Sequence, residues 1–144
     1  MRTALILHLL GASIWVGGHL TLLFAVLPGV LRNRDVGMLR SFEQRYERIG
    51  LPALLVQLIT GLWLAHQHVP GIIQAFSFTG RVHAWVAVKL LLMAATVVTG
   101  AHARLFIIPR LSAERLTALA VHIVVINILG LAMLLIGAVI RTGG

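Results

Sequence analysis

Four apolar stretches, each long enough to cross a lipid bilayer, constrain this chain more than anything else in it. They run from about residue 3 to 27, 49 to 65, 81 to 108 and 115 to 140. A hydrocarbon core about 30 Å thick needs roughly 20 apolar residues at a rise of about 1.5 Å each. Inside it every backbone N–H and C=O must be satisfied within the segment, so such stretches become helices. Charged residues make up only 11% of the 144, and the mean hydropathy is +0.98. The expected fold is all-α: an integral membrane four-helix bundle forming one domain over residues 1–144. The first stretch is too long for the apolar part of a signal peptide and no A-x-A-like site follows it, so it reads as a retained span.

The connections carry the charge. LRNRDVGMLRSFEQRYERIG, residues 31–50, holds Arg32, Arg34, Arg40, Arg45 and Arg48 with Asp35, Glu43 and Glu47. Leu39, Phe42 and Tyr46 recur in it at helical spacing, which predicts an interfacial amphipathic helix lying along the headgroups between spans 1 and 2. Spans 1 and 3 are expected to end near Pro28 and Pro109, and Pro52 to sit in the first turn of span 2. Residues 69–80, with Pro70, Gly71 and Gly80, read as a loop, and Ser112 as the N-cap of span 4. Arginines concentrate between spans 1 and 2 and between spans 3 and 4. By the positive-inside rule both termini then lie outside a bacterial-type inner membrane. The net charge of +8 is accounted for by this surface clustering, without nucleic acid.

The chain has no cysteine, which excludes disulfides, thiolate metal sites and iron–sulfur clusters. Any metal must be held by His, Met, Lys or oxygen. Span 1 carries HLLGASIWVGGH, with His8 and His19 11 residues apart. At about 100° per residue they return to nearly one face, roughly 16 Å apart along the axis. Ala12 and Trp15 share that stripe, and Gly11 and Gly18 flank it with room for a flat ligand; Gly17–Gly18 also reads as a close-packing surface. In span 3, Lys89, Met93, Thr96 and Gly100 share one polar or small face that should turn inward. His122 and Met133 of span 4 are again 11 apart. Ionisable residues within a span are functional-site hypotheses by default. Layered by depth, His19 matches His122 toward one end; His8 matches His66, His83 or Met133 toward the other. That arrangement suits b-type haem, one or two, held between helices. Lys89 would meet a propionate or a quinone oxygen. The alternative is copper held by His8, His66, His68, His83 and Met133, since imidazole and thioether suit that metal. Phosphate-loop, serine-hydrolase and zinc-protease motifs are missing, and no carboxylate pair lies in a span.

HLLGASIWVGGH, GLWLAH closing span 2, and Trp85-x-x-x-Lys89-Leu-Leu-Leu leading to TGAHARL resemble the copper-resistance protein D (CopD) family. They are also similar to the related HemJ-type protoporphyrinogen oxidases. The resemblance covers most of the chain. It implies a small multi-span inner-membrane protein. The CopD likeness implies copper uptake or tolerance. The HemJ-type likeness implies b-type haem, with functional positions that fall on His8 and Lys89. His19 and His122 depart from the HemJ-type pattern, and FEQRYERIGLPALL fits a standalone CopD-like protein better. The expectation taken forward is a haem b electron-transfer protein with His19 and His122 as one axial pair and His8 at a second site. A quinone or periplasmic redox partner and a homodimer are its expected associations. Copper transport and porphyrinogen oxidation stand as the alternatives.

Overall fold

The computed structural model describes residues 1–69 and 71–142, apart from the side chain of residue 72; Pro70 of the expected loop lies outside the described residues. The described chain is helical throughout, with no strand. Helices α1 (Arg2–Asn33), α2 (Val36–His68), α4 (Arg81–Arg110) and α5 (Ala113–Thr142) are long and apolar enough to cross a membrane; α3 (Ile72–Ala75) is a single turn. Large apolar side chains such as Phe24, Ile59, Val98 and Leu135 stay exposed. On a water-soluble domain they would be an aggregation hazard; around a membrane bundle they are the surface that lipid covers.

The first span runs on past Pro28 to Asn33, whereas the third ends one residue after Pro109, as expected. A proline inside a helix lacks its N–H and collides with the carbonyl four residues earlier. Here each is preceded by one widened, π-helical turn: Leu22–Val26 ahead of Pro28, and Ala103–Ile107 ahead of Pro109. The wider turn shifts the carbonyls that the ring would meet, so α1 continues to Asn33 and α4 to Arg110.

The first connection shrinks to two residues. Arg34 adopts the left-handed conformation (φ 52°), and Asp35 caps α2 by accepting from the Met38 N–H at 2.9 Å. The amphipathic stretch between spans 1 and 2 is helical, and it is continuous with span 2, running through Pro52 without a break at residue 49. Its apolar stripe meets protein instead of headgroups. Leu39 is buried with Val26, Leu27 and Val30 of α1 and Leu116 of α5, Phe42 packs on that cluster, and the Tyr46 hydroxyl donates to the Trp15 carbonyl at 2.7 Å. On the flank of that stripe, Arg104 of α4 pairs with Glu43 at 3.0 Å and Glu47 at 2.6 Å. Arg40 donates to the Leu111 carbonyl in the α4–α5 connection. Within the expected loop, Val69 and Ala75 pack on Val86 and Ala87 of α4 around the α3 turn. Ser112 precedes α5, but its side chain does not cap it.

Helix α1 lies along α2, α4 lies along α5, and α1 also touches α5, whereas α2 and α4 scarcely approach each other. The α1–α2 contact depends on glycine. A Cβ on Gly11 would come within 2.9 Å of the Ala53 carbonyl oxygen, and one on Gly18 would fall on the Tyr46 ring, which Gly50 backs from the other side. These glycines therefore serve helix packing, not the approach of a flat ligand. Gly17 has no neighbour within 4 Å. Gly18→Ala is expected to destabilise the bundle by about 1–3 kcal/mol, the usual cost of overpacking, and Gly17→Ala to leave it unchanged. The midpoint of thermal unfolding of the two variants in one detergent checks this.

Candidate functional site

At the end of the bundle that carries the chain termini, the separation of α2 from α4 opens a cavity of about 620 Å³. All four long helices line it, with mostly aliphatic walls. Its polar and sulfur-bearing lining comes from His8 and Trp15 of α1, Gln57 and His68 of α2, Lys89, Met93 and Thr96 of α4, and Met133 of α5; Met1, Arg2 and Arg141 lie at its mouth. Three of the chain's four methionines are thus gathered here.

The hydrogen bonds around His8 fix its tautomer. Nδ1 lies 3.1 Å from the Gln57 carbonyl and 3.0 Å from the Thr60 hydroxyl. A carbonyl only accepts, and the Thr60 hydroxyl already donates to the Val56 carbonyl at 2.6 Å. Nδ1 therefore carries the hydrogen and donates it. Nε2 is left with a lone pair and no protein partner among the described residues. A neutral imidazole held by its Nδ1–H is the usual state of a metal-ligating histidine. Gly61 makes the placement possible, since a Cβ there would stand 3.0 Å from Cε1 of the ring.

Lys89 reaches across toward α5. A Cβ on Gly137 would lie 3.0 Å from Nζ, so the glycine leaves room for the ammonium. Lys89 makes no hydrogen bond or ion pair among the described residues; the ion pairs there both belong to Arg104. Thr96, one further turn along the same face beyond Met93, spends its hydroxyl on the Leu92 carbonyl at 2.8 Å. Gln57 Oε1 is buried in the wall without a partner. The inward stripe expected of span 3 is present for Lys89, Met93 and Thr96, while Gly100 lies beyond the cavity.

The expected axial pair is not assembled. His19 is held between Trp15 (ring centroids 4.3 Å apart) and Tyr46 (5.5 Å, edge-on), with Nδ1 2.9 Å from the Trp15 carbonyl. His122 donates from Nδ1 to the Ala118 carbonyl at 2.7 Å, and its Nε2 accepts from His102 Nδ1 at 2.8 Å, the two rings stacked 5.0 Å apart. No contact joins His19 to His122 among the described residues, and neither lines the cavity. Equal depth on two helices did not place the rings on facing sides. Of the outer histidines, His68 lines the mouth, its Nδ1 on the Leu64 carbonyl at 3.0 Å, whereas His66 and His83 stand outside the lining. Among the described residues no group of three or more His, Cys, Asp or Glu could hold a metal ion, so thioethers are needed to complete any such donor set. Met93 and Gln57 were the omissions from the expected ligand set. Met93's place one turn after Lys89 was the signal that could have included it.

Because the chain lacks cysteine, the cavity can be mapped by single substitutions. Met133→Cys is expected to react with a small water-soluble methanethiosulfonate in reconstituted protein. Ile123→Cys, in the closed core of α5, should stay protected; equal labelling of both would contradict the cavity.

A family model described as Copper resistance protein D matches residues 40–140. No curated protein and no solved structure matches the chain.

Proposed function

The chain belongs to the copper resistance protein D family, and from that premise we propose that it takes up copper in the four-helix cavity, with His8 and the Met93 and Met133 thioethers as ligands. The observation that supports this reading is the state of His8: Nδ1 committed to α2, Nε2 open, in the cavity that gathers three of four methionines. Imidazole and thioether are soft to borderline donors of the kind that select copper(I). His68 and Met1, at the mouth, would receive the ion from solvent. The arginine asymmetry of the connections supports an outward-facing mouth.

A haem b carried by His19 and His122 does not fit this arrangement. His122 Nε2, the nitrogen that would bind iron, is occupied by His102, and the His19 ring is wedged between Trp15 and Tyr46. The family match supports copper and not the porphyrinogen oxidation implied by the HemJ-type likeness.

The test is copper(I) binding by the purified protein in ascorbate, read by competition with a chromophoric chelator. One copper per chain is expected. His8→Leu, and Met93→Leu combined with Met133→Leu, should each weaken binding at least about tenfold, equivalent to about 1.4 kcal/mol. His19→Leu and His122→Leu should not change it. Absence of copper binding by the unmodified protein would sink the reading.

A further inference from the structure

The charge balance of the cavity does not match a bare cation. The chain has four acidic side chains, Asp35, Glu43, Glu47 and Glu114, and none of them lines the cavity. All four lie toward the arginine-rich end, two of them tied to Arg104. The cavity instead contains the Lys89 ammonium, with Arg2 and Arg141 at its mouth. Every copper donor available there, imidazole or thioether, is neutral, so a bound copper(I) keeps its full positive charge. Met93 and Lys89 are one helical turn apart, with Cβ atoms about 6 Å from each other. Two unit charges within about 10 Å, at an effective dielectric near 20, repel enough to weaken binding about tenfold or more. Among the described residues Lys89 meanwhile has no partner for its donors.

We propose that copper is bound together with a small anion held by Lys89, so that the cavity accepts a charge-balanced pair. This rests on the copper reading above and specifies the substrate of that site. The space suffices: about 620 Å³ is far more than one ion needs, at roughly 30 Å³ per water-sized occupant. Gly137 supplies the clearance beside Nζ in which the anion sits. The walls are apolar, so neutralising two like charges matters more here than it would in water. Gln57 Oε1, buried in the same wall without a donor, offers an acceptor to the water that accompanies the pair.

Chloride serves as the probe anion. Copper(I) affinity of the reconstituted protein is measured from chloride-free buffer to 100 millimolar chloride, with ionic strength held by methanesulfonate and the competing chelator calibrated at each concentration. The unmodified protein should bind copper at least about tenfold more tightly at high chloride. Lys89→Leu should bind with the high-chloride affinity throughout, and Lys89→Arg, which keeps the charge, should retain the dependence. A flat response in the unmodified protein, or an unaltered response in Lys89→Leu, overturns the proposal while leaving copper binding intact. If no copper binds at all, the copper reading fails, and the anion site is judged by chloride-35 line broadening in copper-free protein. Broadening that Lys89→Leu abolishes supports the anion site; equal broadening in both proteins overturns it.

Discussion

Inside a bilayer no water is at hand to satisfy a polar group, so each one must find its partner within the protein. Most of this molecule is arranged around that demand. Threonines return their hydroxyls to carbonyls one turn back, as Thr60 and Thr96 do. Tyr46 and His19 share the Trp15 carbonyl, Asn127 donates to the carbonyls of His19 and Ile123, and the two α4–α5 histidines satisfy each other. Among the described residues His8 Nε2, Lys89 Nζ and Gln57 Oε1 are left without a partner and stand in one cavity, whereas His19 Nε2 is left without one outside it. Asn127 Oδ1 is the other buried acceptor without a partner, and Asn127 does not line that space. Unpaired polarity is expensive in hydrocarbon, and three of these groups share the space lined by all four long helices.

The two ends of the bundle are built differently. At the arginine-rich end, one apolar cluster draws on α1, α2, α4 and α5, and Arg104 bridges α4 to α2. These ion pairs are partly exposed, so each contributes little to stability by itself, within about 1 kcal/mol; they keep α2 and α4 in register at their closed end. Toward the termini the apolar contacts divide. Trp15, Val16 and Ile126 join α1 to α5, whereas Val69, Ala75, Val86 and Ala87 join α4 to the connection that precedes it. Between them α2 and α4 part, and the cavity results.

Within a single helix the sequence was a reliable guide. Lys89, Met93 and Thr96 face inward together as their spacing requires, and Leu39, Phe42 and Tyr46 form a working apolar stripe. It was less reliable at helix ends. Pro109 ends its helix within one residue, as expected, but Pro28, which also looked like a terminator, is carried within α1 by a widened turn just ahead of it. That accommodation depends on backbone hydrogen-bond shifts that no residue type announces.

The amino-acid order by itself determined the environment and the secondary structure: four long apolar runs with few charges can only be helices in lipid, and the lack of cysteine limits metal chemistry to nitrogen, thioether and oxygen donors. It also determined which residues share a helix face, because 3.6 residues per turn is a property of the backbone. The tertiary structure decided which faces meet. Gly11 and Gly18 let α1 settle against α2, which directs His8 into the cavity and leaves His19 against Trp15 and Tyr46. The α4–α5 contact pairs His122 with His102 instead of His19. Depth along an axis can be counted in residues, but rotation about it is set by the neighbour against which each helix packs.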